Sequence, residues 1–226
     1  MKPYVPYSRW TRKAFNHYLS WNFKRNFENI YSLGLSSLET IKSPLLFVSN
    51  HVSWWDGFFL FEIQRQVRPK AKIYTVALEK TCSENRILPR MGVLPIQPGN
   101  PGSVKSLLNY LRTLRAENLP EELVVSFFPQ GKITPSFSSD LGFQRGVEQV
   151  ISALTPVTVV PIGIHIEPMT GKKPTAILSI GTPTPCFELN QAKEIEVKVQ
   201  EALSKTHQKL FLNGENLSDS FERLCL

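Results

Sequence analysis

Two residues able to move a proton stand five positions apart in the stretch Asn50-His51-Val52-Ser53-Trp54-Trp55-Asp56. A neutral imidazole is a base near pH 7, and a carboxylate on its other ring nitrogen fixes the tautomer and stabilises the imidazolium that forms. Such a pair suits an alcohol attacking a thioester. The alcohol is a weak nucleophile until its proton is being removed, whereas a thiolate departs readily. No covalent intermediate is required, and the chain contains no Gly-x-Ser-x-Gly elbow of the kind serine hydrolases use. The histidines His17, His51, His165 and His207 are scattered without helical ligand spacing, which argues against a metal centre.

The pair needs a particular backbone. In an unbroken helix, residues five apart point about 140° away from each other, so His51 and Asp56 meet only if a turn separates them. Leu45-Leu46-Phe47-Val48 reads as a central strand, which places His51 at a strand exit, where α/β proteins tend to build their sites. The spacing by itself leaves another reading open, with His51 as a satisfied core histidine and Asp56 as a turn or helix-cap residue beside Gly57.

The elements around this stretch set the expected fold. Short β-branched or aromatic runs bounded by turn residues predict strands over Leu45–Ser49, Lys72–Ala77, Val93–Gln97, Leu123–Phe128, Val157–Ile164 and Ala176–Ile180. Helical patterns cover Gly57–Gln66, Ser103–Ala116, Gln144–Ala153 and Gln191–Leu210. Strands alternating with helices predict an α/β fold, a mixed and largely parallel central sheet flanked by helices, with an N-terminal amphipathic helical segment. One domain is expected over residues 1–226, with residues 1–35 as a membrane-facing helical segment and residues 213–226 as a loose tail.

A net charge of +7 points to an anionic partner without choosing among nucleic acid, a lipid surface and a phosphorylated small molecule. Cys82, Cys186 and Cys225 are too few and too far apart for a disulfide framework, and they fit a reducing compartment. The stretch Met1-Lys2-Pro3-Tyr4-Val5-Pro6 lacks the apolar core of a signal peptide, and nowhere do 18 or so uninterrupted apolar residues occur. Any membrane contact is therefore expected to be peripheral. Near the start, Trp10, Phe15, Tyr18, Leu19, Trp21, Phe23 and Phe27 mix with Arg9, Arg12, Lys13, Lys24 and Arg25, a combination that suits an interface with anionic headgroups. A core helix with a solvated basic face has the same composition.

Further blocks follow in order: Gly92-Val93-Leu94-Pro95-Ile96, Phe127-Phe128-Pro129-Gln130-Gly131 and Val159-Val160-Pro161-Ile162-Gly163. With His51 and Asp56 they resemble, over about residues 44–165, the glycerolipid acyltransferase family, whose bacterial type member acylates lysophosphatidic acid. The resemblance implies an acyl-CoA or acyl-carrier-protein donor, no other cofactor, a membrane lipid hydroxyl as acceptor, and His51 as general base supported by Asp56. It further implies that Phe128, Pro129, Gln130 and Gly131 border the acceptor, at the cytoplasmic face of a membrane and without a nucleic-acid partner. Pro161 reads more simply as a strand irregularity.

Two departures bear on the acceptor. Where the family carries arginine in its second and third blocks, this chain has Pro98 and Ile133, neither of which can bind phosphate as a guanidinium does. An acceptor lacking a terminal phosphate is expected, with Lys132 or Arg145 as alternative anion contacts. Two other functional classes remain open, a thioesterase-like hydrolase using the same base and a non-catalytic lipid or nucleic-acid binder.

Overall fold

The computed structural model describes residues 4, 8–138, 140–214 and 216–224. Its elements are α1 (Arg9–Asn26), β1 (Ile30–Leu33), β2 (Leu45–Ser49), α2 (Asp56–Val67), β3 (Lys72–Leu78), α3 (Glu79–Glu84), β4 (Val93–Ile96), α4 (Pro101–Glu117), β5 (Leu123–Phe127), α5 (Gly146–Leu154), β6 (Thr158–Glu167), β7 (Thr175–Ile180), β8 (Thr184–Pro185), α6 (Ala192–Asn213) and β9 (Glu222–Arg223). The strands form one sheet in the order β4-β3-β5-β2-β6-β7-β1-β9, with β8 also paired to β6. The first five of these run parallel, whereas β7 is antiparallel to β6.

Parallel strands covered on both faces are apolar throughout, and β2, with every residue buried, is the clearest case. Alternate side chains enter opposite layers. Leu45 and Phe47 pack with α1 and α2, whereas Leu46 and Val48 pack with α4 and α5. The chain leaves β2 through α2 and crosses β5 to reach β3, and it leaves β5 through α5 and crosses β2 to reach β6. Adjacent strands whose connections part to opposite faces open a crevice at their carboxyl ends. His51 and Phe128 stand at that crevice.

The predicted strands and helices are all present, within a few residues at their ends. Four short elements, β1, α3, β8 and β9, are additional. The first of them is paired to Ala176–Ser179 and lies inside the segment expected to be helical, a partnership its own four residues do not announce. The expectation of a loose tail is corrected for the described residues. Leu217, Phe221 and Leu224 are buried, and Glu222 and Arg223 pair with Ser32 and Tyr31. Three apolar side chains in an otherwise polar stretch are enough to dock it. Cys225 lies outside the described residues.

Helix α1 starts at Ser8, whose hydroxyl accepts a hydrogen bond from the Thr11 N–H. Phe15, Leu19, Phe23 and Phe27, at four-residue spacing, form one buried stripe against α2, worth about 2 kcal/mol per side chain. Arg12 is also buried, donating to the Ala71 carbonyl at 2.9 Å. Trp10, Tyr18 and Trp21, with Lys13, Lys24 and Arg25, remain exposed. The core reading of this helix thus holds for the buried stripe, and the exposed face carries the remaining aromatic and basic side chains. Among the described residues no helix is long and apolar enough to cross a membrane.

Pro161 occupies a central strand without breaking it. Its carbonyl accepts from the Gly181 N–H at 2.8 Å, so its missing donor faces residues 181–183, where the ladder from β7 to β8 is interrupted.

Helix α6 lies close on β6 because residue 163 is glycine. A methyl group there would stand 3.0 Å from both the backbone nitrogen and Cγ of Leu203. Gly163→Ala should lower the unfolding free energy by about 2 kcal/mol in denaturant titrations through overpacking. Nearby, the buried His165 places Nδ1 3.4 Å from His207 Nε2 and Nε2 3.1 Å from Glu167. Burial, then the proximity of His207, pushes the His165 pKa down against the opposing pull of Glu167. A depressed imidazole contributes stability that is complete above about pH 6.5 and is lost as the pH falls through its folded value. Unfolding measured between about pH 7.5 and 5.5 should therefore show stability falling with pH, and His165→Gln should flatten that fall.

Candidate active site

Asp56 opens α2 with its carboxylate fully buried, and the preceding loop folds around it. Oδ2 accepts the N–H groups of Val52 at 2.6 Å and Ser53 at 2.9 Å, and it lies 2.7 Å from His51 Nδ1. The Ser53 hydroxyl donates to Oδ1 and accepts the Trp55 N–H at 3.1 Å. This is the turn the five-residue spacing requires, closed by the carboxylate itself. A proton on Nδ1 directed at Asp56 leaves Nε2 as the basic nitrogen. The His51 side chain is 24% exposed, so the imidazole is accessible while its carboxylate partner is enclosed.

The backbone of His51 is held at both polar groups. Its N–H donates to Gln130 Oε1 at 2.6 Å, and its carbonyl accepts the Thr134 N–H at 2.9 Å. Gln130 Nε2 donates in turn to Thr134 Oγ1 at 2.6 Å. Gln130 comes into range through a tight turn in which the Gly131 N–H meets the Phe128 carbonyl at 3.1 Å, with Pro129 second in the turn and Gly131 at φ +67°. Asn50 anchors the loop from below, bonding the Ile164 carbonyl at 2.9 Å and the Ile164 N–H at 2.7 Å. The Phe128 ring stacks on the His51 imidazole at 4.6 Å.

His51 borders a cavity of about 1040 Å³ that spans the carboxyl edge of the sheet. Phe58, Phe61, Ile73 and Met91 line it on the α2 side, and Val76, Leu107, Leu108 and Val150 on the α4 and α5 side. Phe128, Pro129, Gly131 and Lys132 also line it, and so do Pro98 and Ile133. Two sequence candidates stand elsewhere. Gln130 is buried with its amide committed to His51 and Thr134, and it is absent from the cavity wall. Arg145 is 87% exposed, points its Nε at Glu148 at 3.0 Å, and does not line the cavity.

Ser53 and Thr134 escaped the sequence reading. Ser53 carried a usable signal, three residues before a helix-opening Asp, whereas Thr134 meets His51 only across 83 positions of chain. Cys82, whose neighbour Thr81 lines the cavity, is buried, and burial followed by Glu79 pushes its thiol up to about 11. It is held in the unreactive thiol form. Among the described residues, no three His, Cys, Asp or Glu side chains are grouped as metal ligands.

If the amide of Gln130 positions His51, Gln130→Ala should reduce kcat about tenfold or more while KM for either substrate changes little. Steady-state kinetics against Gln130→Glu, which can still accept the His51 N–H, provides the check. Full retention of kcat in the alanine variant would remove Gln130 from the machinery.

No curated protein matches the chain closely enough to count as a relative. Over residues 23–165, more than half of the chain and all of the loops just described, the sequence matches the family model described as Acyltransferase, and the chain therefore belongs to the Acyltransferase family, whose chemistry is acyl transfer to a lipid acceptor.

Proposed function

We propose that this protein transfers a fatty acyl group from acyl-CoA or acyl-carrier protein to a hydroxyl of a membrane lipid that lacks a terminal phosphate. The observation that supports this most is the His51–Asp56 pair, 2.7 Å apart, at the border of a large and mainly apolar cavity. His51 Nε2 takes the proton of the acceptor hydroxyl as its oxygen attacks the thioester carbonyl. The tetrahedral intermediate collapses, the carbon–sulfur bond breaks, and the departing thiolate receives the proton from the imidazolium. Asp56 keeps the ring oriented throughout and balances the positive charge.

The reading of the acceptor is supported by Pro98 and Ile133. Both line the cavity, and neither offers a donor to a phosphate. Supply from a bilayer is supported by a run of rings in contact from the His51 loop to α1: Trp54 to Phe58 at 5.9 Å, Phe58 to Phe15 at 5.6 Å, Phe15 to Tyr18 at 5.6 Å and Tyr18 to Trp21 at 6.4 Å. Trp54, Tyr18 and Trp21 are at least half exposed, and Lys13, Lys24 and Arg25 accompany them. Exposed aromatic and cationic side chains together fit a peripheral contact with an anionic membrane surface.

Purified protein given radiolabelled acyl-CoA or acyl-carrier protein with extracted lipids should yield a labelled lipid ester. His51→Ala should lower that turnover by about 10³-fold or more, with circular dichroism unchanged. Free fatty acid as the sole product in the presence of the lipid extract would instead identify a thioesterase, and full activity in His51→Ala would refute the mechanism.

A further inference from the structure

The charged lining of the cavity is one-sided. Apart from His51, the ionisable side chains on its wall are Lys105, Arg112 and Lys132, and among the described residues no carboxylate joins them. None of the three forms an ion pair with a described carboxylate, whereas Arg145, just outside, is neutralised by Glu148. Lys105, Asn109 and Arg112 fall at i, i+4 and i+7 of α4 and share one face of that helix. Leu107, Leu111 and Leu114 fix the opposite face in the core. The Asn109 side-chain oxygen accepts from Arg112 Nη1 at 2.9 Å and so helps to hold the guanidinium. The two cations stand about 10 Å apart along the axis, two turns of one helix.

A cavity with apolar walls and uncompensated cations is complementary to an anionic amphiphile. We infer that Lys105 and Arg112, with Lys132 at the neighbouring loop, bind the phosphate-bearing end of the acyl donor. This rests on the acyl-transfer reading above. The acceptor proposed there carries no terminal phosphate, so the anion that remains to be matched belongs to the donor. With its acyl chain against the apolar wall and its carbonyl at His51, a pantetheine thioester extends its arm outward and ends in phosphate. Coenzyme A and a carrier protein both supply that chemistry, and the cations meet it in either case.

Binding of palmitoyl-CoA and palmitoyl-pantetheine, which share chain and arm and differ in the phosphates and the adenosine that coenzyme A adds, tests the assignment by displacement of a fluorescent fatty acid from the cavity. The wild type should prefer palmitoyl-CoA about tenfold or more at low salt, and the preference should shrink as salt rises. Lys105→Glu combined with Arg112→Glu should abolish the preference by weakening palmitoyl-CoA alone, and the milder Lys105→Gln with Arg112→Gln should reduce it. A parallel titration with palmitoyl-carrier protein identifies the source: charge reversal that weakens palmitoyl-CoA and leaves the carrier protein unaffected assigns the site to the nucleotide, and weakening of both assigns it to the phosphate that the two donors share. Equal binding of both small thioesters by the wild type, an undiminished preference in the charge-reversed variant, or equal weakening of both would overturn the inference. Because the readout is binding, a failure of acyl transfer in the preceding assay counts against the reaction and leaves this result standing. Failure of every thioester to displace the probe would overturn both.

Discussion

A buried carboxylate must be surrounded by donors or it does not stay buried, and Asp56 meets that demand by drawing the preceding five residues around itself. Two backbone N–H groups, the Ser53 hydroxyl and the His51 ring nitrogen all converge on it. The demand shapes the loop: without those contacts the chain between β2 and α2 has no reason to double back, and His51 would not face the carboxylate. Orientation of the imidazole and local folding of the loop are therefore one interaction viewed twice.

Everything beneath the loop serves to place it. The β2 strand is covered on both faces, and Asn50 ties its exit to β6 through two hydrogen bonds with Ile164. The neighbouring strand exit, after β5, carries the turn that delivers Gln130 to the backbone of His51. Parallel strands bring these exits side by side, and crossovers in opposite directions keep the space above them open. The cavity is thus a consequence of topology, and its chemistry is set by a few side chains around its border.

Helix α1 illustrates how one segment can serve two environments. Its stripe of Phe15, Leu19, Phe23 and Phe27 is part of the core, whereas Trp10, Tyr18 and Trp21 are left outside with basic neighbours. Large aromatic side chains contribute most to stability when covered, and their exposure on a helix whose other side is well packed is what the proposed membrane contact rests on.

The sequence by itself determined the local features. Hydrophobic runs located six of the strands, β2 to β7, periodicity located the main helices, and the ordered blocks from His51 to Gly163 identified the family with which residues 23–165 align. Each of these signals is carried within a few residues of chain. What only the tertiary structure decided depends on contacts between distant segments. Gln130 turned its amide to His51 instead of the cavity, Thr134 closed the brace, Arg145 turned to Glu148, and residues 217–224 docked against β1 and β7. Residue type constrains what a polar side chain can bond but not which partner comes within 3 Å of it. That partner is chosen by the sheet order and the turns, and no short window of sequence encodes either.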